Sequence, residues 1–375
     1  MTSLCKLAAG ISLAFLLLTT GLHAREAGEI LVRQDIADAP SGMNAWRVRY
    51  VTGGRKGVPE QEATGVILAP LDRMAGPPRG IVAWTHGTWG VASKCAPSQS
   101  EKFFDLTPAI DAVRMGYVVV APDYPGLGTD TVHPYLVGQP AAQSVLDIVR
   151  AARTLPDLRA GSQFVVWGES QGGHAALWTG MTAADAGDLE LLGVAAGAPP
   201  TDLAANFRQA SDANARAFLT AFAADSWSRY YKLDLNVGKR RTPPIIRKLA
   251  SNCIASGSMP RLGALLGMLT LRSDLKRYDF AAEAPWADII RDNSAQPTLT
   301  VPLLIAQTGK DPLVAPAVTR NFASKACSRG LPVRWIDLPG KDHATTAKQS
   351  AAETLQWITD RFAGKAPPSD CGQLR

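Results

Sequence analysis

The chain has 375 residues, of which 46% are hydrophobic and 19% charged. That mixture excludes disorder over most of its length, and the length suits one large α/β domain with an insertion or two small domains. Net charge is +6, but the basic residues are scattered apart from Lys239-Arg240-Arg241 and Arg247-Lys248. Nucleic-acid binders gather theirs on one helix or face, often with aromatics interleaved, so no nucleic-acid partner is expected.

In chain order, the first 24 residues differ in kind. Lys6 gives a short positive start, Leu7 to Leu22 is almost wholly apolar, and Leu22-His23-Ala24 ends on a small residue before polar Arg25-Glu26. This predicts a secretory signal over 1–24, cleaved after Ala24, rather than a retained anchor. No later segment has eighteen uninterrupted apolar residues. The expectation is a soluble exported protein, periplasmic or extracellular.

Export changes how the cysteines read. Cys5 leaves with the signal, and Cys95, Cys253, Cys327 and Cys371 remain, an even number in an oxidising compartment. None belongs to a CxxC pair and no histidine lies at zinc-ligand spacing, so two disulfides are expected and no metal site. Of the three connectivities, Cys95–Cys253 with Cys327–Cys371 is favoured, because the second pair would tie the C-terminal tail to the body.

From residue 45, short apolar runs alternate with helix-length segments. Strands are predicted at Trp46–Val51, Gly65–Ala69, Ile81–Thr85, Tyr117–Pro122, Phe164–Gly168, Leu191–Ala195, Pro302–Gln307 and Val333–Leu338. Runs such as Val118-Val119-Val120 and Val165-Val166-Trp167 suit strands buried on both faces. Helices are predicted at Phe104–Met115, Ala141–Thr154, Gly172–Ala184, Ala317–Cys327 and Thr345–Phe362. The alternation implies an α/β fold with a mostly parallel, doubly wound sheet. Residues 201–295 show helical patterns but no convincing strand, which predicts a helical cap inserted into a core of 25–200 and 296–375. Within it, Leu262, Leu265, Leu266, Met268 and Leu269 fall largely at helical spacing. The run Leu262–Leu271 is expected to form the cap's own core, with an acyl-pocket lining or a mobile lid as the alternatives.

The strongest local signal is Phe164-Val165-Val166-Trp167-Gly168-Glu169-Ser170-Gln171-Gly172-Gly173. It is a G-x-S-x-G placed between an apolar strand and an alanine-rich helix. In that context the serine sits on a tight turn that lifts Oγ clear of the sheet, and the glycines allow close helix–strand packing. A serine hydroxyl needs a base to remove its proton. The partners should follow in the order serine, acid, histidine, each after a later strand. Asp311 follows Pro302–Gln307, and His343 follows Val333–Leu338.

The other candidates have plainer uses. His174, one turn beyond Ser170, is expected to pack or hydrogen-bond behind it, and His133 to be structural. His86 stands in Thr85-His86-Gly87-Thr88, where the Thr88 N–H could form half an oxyanion hole with the Gln171 N–H. Asp342 adjoins His343, but adjacent side chains seldom face each other, so a loop contact or a solvated role is expected. Asp123 ends an earlier strand and is expected to brace loops.

Together, Trp84-Thr85-His86-Gly87-Thr88, Cys95-Ala96-Pro97-Ser98, Ala121-Pro122-Asp123-Tyr124-Pro125-Gly126-Leu127-Gly128 and Gly168-Glu169-Ser170-Gln171-Gly172-Gly173-His174 resemble the secretory lipase family of α/β-hydrolases, best known from fungi. The resemblance runs from about residue 40 to the end, densest between 80 and 200 and thin across the insertion. It implies a Ser170–Asp311–His343 triad, a helical cap over an acyl pocket, disulfides, and fatty-acid esters as substrates. Glu169 departs from the family, whose elbows often carry His or Tyr there. Such a hydrolase uses no metal or organic cofactor. Its expected partners are a small-molecule or lipid ester and transient contact with a lipid interface, with no obligate protein partner. A peptidase or amidase on the same triad is the alternative, though no acidic pair offers itself to a substrate amino terminus. A binding protein that has lost catalysis is the third reading.

Overall fold

A computed structural model describes residues 25–55, 57–71, 76–254, 262–340 and 342–374. The predicted signal over 1–24, with Cys5 and His23, lies outside the described residues. The strands are β1 (Ile30–Asp35), β2 (Met43–Thr52), β3 (Gln61–Pro70), β4 (Arg79–Thr85), β5 (Val118–Pro122), β6 (Ala160–Glu169), β7 (Glu190–Gly197), β8 (Leu303–Thr308) and β9 (Val333–Leu338). They form one sheet in the order β1-β2-β3-β5-β4-β6-β7-β8-β9. The first three join antiparallel, β3 also meets β5 antiparallel, and every pairing from β5 to β9 is parallel.

The central strands read as unbroken apolar runs because both faces are covered. Ile81, Val118, Val120, Phe164 and Val166 point to one side, where they pack with Val145, Val149 and Leu177. Those residues come from α2 (Gly138–Arg153) and α3 (Gln171–Thr182). Val82, Val119, Val165 and Trp167 point to the other side, against Val113 of α1 (Ile110–Arg114). The period-two alternation of side chains thus feeds two cores at once. β1 was not foreseen. Only its first residues are apolar, its last four are exposed, and it closes the sheet at an edge where packing asks little of it.

Helix ends also differ from expectation. The helix expected over Phe104–Met115 is confined to Ile110–Arg114. Pro108 has no N–H to extend a ladder from the preceding turns. The helix expected over Thr345–Phe362 divides into α10 (Thr346–Gln349) and α11 (Ala351–Phe362). At the break, the Ser350 hydroxyl donates to the carbonyls of Thr346 and Ala347, competing with the backbone ladder.

Between β7 and β8 the described residues carry five helices: α4 (Leu203–Gln209), α5 (Ala213–Tyr230), α6 (Thr242–Ala250), α7 (Leu262–Leu275) and α8 (Trp286–Asn293). They share an aromatic core in which Trp227, Phe280 and Trp286 stack. α5 is fastened to the loop before α2: Trp227 Nε1 donates to Tyr135 O at 2.7 Å, and Ser226 Oγ donates to His133 O at 2.6 Å. Leu262 and Leu265 fall outside the described side chains. Met268 and Leu271 enter this core, whereas Leu266 and Leu269 are 58% and 47% exposed. α9 (Pro316–Ser328) and α12 (Cys371–Leu374) complete the fold. Cys95–Cys253 and Cys327–Cys371 are disulfide-bonded, the second holding the C-terminal tail against α9.

Candidate active site

Ser170 stands where β6 ends and α3 begins, with φ at +57°, a region that L-residues seldom occupy. The neighbours enforce the turn. The Ser170 N–H donates to Gly197 O at 2.8 Å, and Thr85 Oγ1 donates to Gly172 O at 2.8 Å. A Cβ at Gly168 would overlap the Thr85 hydroxyl, and one at Gly172 would overlap the Thr85 carbonyl. Both positions therefore require glycine if strand and helix are to close on the serine.

Two later loops bring their side chains to it. His343 lies beyond β9 and Asp311 beyond β8. Ser170 Oγ and His343 Nε2 are 2.8 Å apart, and His343 Nδ1 is 2.7 Å from Asp311 Oδ2. The carboxylate only accepts, so Nδ1 carries the proton and Nε2 is left to accept from Ser170 Oγ–H. Asp311 is itself held on both oxygens. Oδ1 accepts from the Leu313 and Val314 N–H groups at 2.8 and 2.9 Å, and Oδ2 accepts from Gln307 Nε2 at 3.1 Å.

Burial of the His343 ring disfavours its charge, but the hydrogen bond and charge of Asp311 outweigh this, and Glu169 and Asp342 add to them. The imidazole pKa consequently lies above its ordinary value. Burial pushes the Glu169 carboxyl up to about 7, against the pull of the nearby His343 charge and the α10 amides of Ala347 and Thr346. Its Oε1 is buried with no hydrogen-bond partner among the described residues.

Gln171 opens α3, so its N–H belongs to the first turn, which has no intrahelical acceptor. Thr88 reaches the same place through the turn at Gly87, where a Cβ would lie only 3.7 Å from that of Ser170. The Thr88 N–H meets no acceptor among the described residues, while its hydroxyl is 2.9 Å from Tyr135 Oη.

A largely apolar cleft opens beside Ser170, with ≈ 490 Å³ of space counted out to solvent. Leu136, Pro200, Leu203, Phe207, Leu219 and Leu313 supply apolar wall, and Gln171, Asn206 and Arg216 are polar there beside Ser170 and Tyr135. None of the described side chains of the run Leu262–Leu271 lines it, and Met268 and Leu271 pack in the core shared by the helices between β7 and β8.

The remaining candidates stay out of the row. His174 donates from Nε2 to Asn293 O at 2.7 Å, and burial pulls it down to about 4. His133 bonds to Pro125 O and Gln171. His86 lies against the carbonyls of Gly87 and Asp123. Asp123 accepts from Thr64 Oγ1 and the Ser98 N–H, bracing two loops. Asp342 accepts from Ala344 and Thr345 at the surface. Sequence reasoning missed Gln307, Tyr135, Asn206 and Arg216. Only Gln307, a polar residue in an apolar strand, left a local signal. No group of three or more His, Cys, Asp or Glu side chains suited to a metal ion occurs among the described residues.

A doubly wound sheet with a serine elbow after a central strand, and with an acid and a histidine on the loops of two later strands, defines an α/β-hydrolase. The chain matches the model of the secretory lipase family over residues 98–370, and it belongs to that family. Relatives include the probable inactive lipase MT1628 of Mycobacterium tuberculosis, 25% identical over 90% of this chain and 79% of its own length. Lipase 4 of Candida albicans is 23% identical over 95% of this chain and 82% of its own. Among solved structures, lipase A of Candida antarctica in its closed state superposes with a TM-score of 0.74 at 18% identity, covering 93% of this chain and 85% of the other.

Proposed function

We propose that the protein is an exported serine carboxylic ester hydrolase of lipase or esterase type, cleaving acyl esters of the acylglycerol kind through an acyl-enzyme on Ser170. The observation that carries this reading is the continuous row Ser170–His343–Asp311 at 2.8 and 2.7 Å. His343 takes the Ser170 proton as Oγ attacks the ester carbonyl and returns it to the departing alcohol. Water then attacks the acyl-enzyme with the same base. Asp311 keeps the proton on Nδ1 and stabilises the imidazolium. The Gln171 and Thr88 N–H groups serve the developing oxyanion. The family's description as secretory, the two disulfides and the apolar N-terminal segment support export. No helix among the described residues is long and apolar enough to cross a membrane.

The relative described as probably inactive favours a second reading, a binding protein that has lost catalysis. The intact row in this chain counts against it. A fluorophosphonate probe separates the two: the wild type is labelled, Ser170→Ala is not, and the wild type hydrolyses p-nitrophenyl butyrate. An unlabelled wild type, or full hydrolysis by Ser170→Ala, refutes the ester hydrolase reading. Aminoacyl amides cleaved faster than esters would move the assignment to an amidase.

A further inference from the structure

Two residues that line the cleft beside Ser170, Gln171 and Asn206, each carry a buried side-chain oxygen with nothing to accept from. Gln171 Oε1 and Asn206 Oδ1 have no hydrogen-bond partner among the described residues, and the residues themselves are only 4% and 8% exposed. Neither amide is free to turn away. Asn206 Nδ2 donates to Asp202 O, one turn back, at 2.8 Å. Gln171 is pinned by His133, whose ring settles which end of the amide is which. His133 Nδ1 lies 2.9 Å from Pro125 O, a carbonyl that can only accept, so Nδ1 bears the proton. Burial pulls the pKa of this ring down to about 3, so it is neutral at working pH and Nε2 accepts. The Gln171 nitrogen, 3.1 Å from Nε2, is therefore the donor, and Oε1 is the atom left over.

A pure acyl pocket has no use for two such oxygens. Most of the lining is apolar, as with Leu203, Phe207 and Leu313, and a buried acceptor without a donor is unfavourable by roughly a tenfold to a hundredfold factor. A substrate that supplies a donor recovers that factor, and one that presents only alkyl groups does not.

We propose that Gln171 Oε1 and Asn206 Oδ1 form a hydroxyl-recognition subsite, so that the enzyme prefers esters bearing an O–H donor a few atoms from the scissile carbonyl over plain alkyl esters. The inference rests on the ester hydrolase reading and names its substrate class. The hydroxyl can come from a hydroxyacyl group or from the free hydroxyls of a partial acylglycerol, and matched substrates tell the two apart. For the acyl side, kcat/KM is measured on p-nitrophenyl 3-hydroxybutyrate against p-nitrophenyl butyrate. For the alcohol side, 1-butyrylglycerol is set against its di-O-methyl ether.

The expected result is a preference of about tenfold or more for the hydroxyl in at least one pair. In Asn206→Leu and Gln171→Met that ratio falls at least threefold, and a general loss of rate cancels within the ratio. Ratios near one in both wild-type pairs overturn the subsite while leaving ester hydrolysis standing. A preference that both variants retain overturns the assignment to these oxygens. No turnover of any of the four esters overturns the hydrolase reading and the subsite with it. The wild-type comparison needs no variant, so a variant that fails to fold does not shield the proposal.

Discussion

Replacing Asp311 by Asn changes one atom and tests the proton path directly. Oδ1 accepts from two backbone N–H groups, those of Leu313 and Val314, and so it keeps an oxygen in the variant. The new NH2 must then stand where Oδ2 was, facing His343 Nδ1 and Gln307 Nε2. Two donors now oppose each other at a separation of 2.7 Å in the parent, and the imidazole escapes by moving its proton to Nε2. That nitrogen then points a proton at Ser170 Oγ and cannot accept one. The charge that holds the His343 pKa above normal is lost as well. In a triad of this geometry such a tautomer error lowers kcat by roughly 10³- to 10⁴-fold, or about 4–5.5 kcal/mol at 1.36 kcal/mol per decade. The assay is kcat for p-nitrophenyl butyrate at a pH on the wild-type plateau, with near-ultraviolet circular dichroism to establish that the variant is folded. A folded variant within tenfold of wild type would refute the idea that Asp311 sets the tautomer.

The other predictions probe separate parts of the molecule. Ionised Glu169 favours the His343 imidazolium, so Glu169→Gln lowers the imidazole pKa; because the neutral ring is the base, the acid limb of kcat/KM moves to lower pH. An unmoved or raised limb contradicts this. Replacing both Cys327 and Cys371 by Ala opens a closure of 44 residues, which in the chain-entropy account destabilises by about 4 kcal/mol; urea unfolding that shows under 1 kcal/mol removes the tail bridge from the stabilising set. Leu266 and Leu269 expose apolar side chains on α7. Changing both to Ser is expected to reduce turnover of emulsified tributyrin severalfold while sparing dissolved p-nitrophenyl acetate, and equal losses on both would deny them an interfacial role.

What the sequence revealed and what it hid divide along a physical line. β9 has the bounds read from Val333–Leu338, and the elbow around Ser170 stands where its motif put it, because an apolar run ending in a glycine-flanked turn is a local signal. Asp311 and His343 were found through topology. The order of strands fixes which loops gather at one edge of the sheet, so two distant residues could be named without any knowledge of their distance. Gln307, Tyr135 and Asn206 carry no such mark, since their roles arise only where separate segments meet. Tyr135 matters through the Thr88 hydroxyl 47 positions earlier and through Trp227 92 positions later. The insertion was hardest to read for the same reason. α7 has nearly uninterrupted apolar residues from Leu262 to Leu271 and so gives no face to choose, and only contact with α5 and α6 sends Met268 and Leu271 inward and leaves Leu266 and Leu269 outside. The helices between β7 and β8 supply Leu203, Asn206, Phe207, Arg216 and Leu219 to the cleft wall, while the loops at the sheet edge hold the serine row. Substrate preference in this chain is accordingly to be sought in residues such as Asn206 of α4, and not in the serine row.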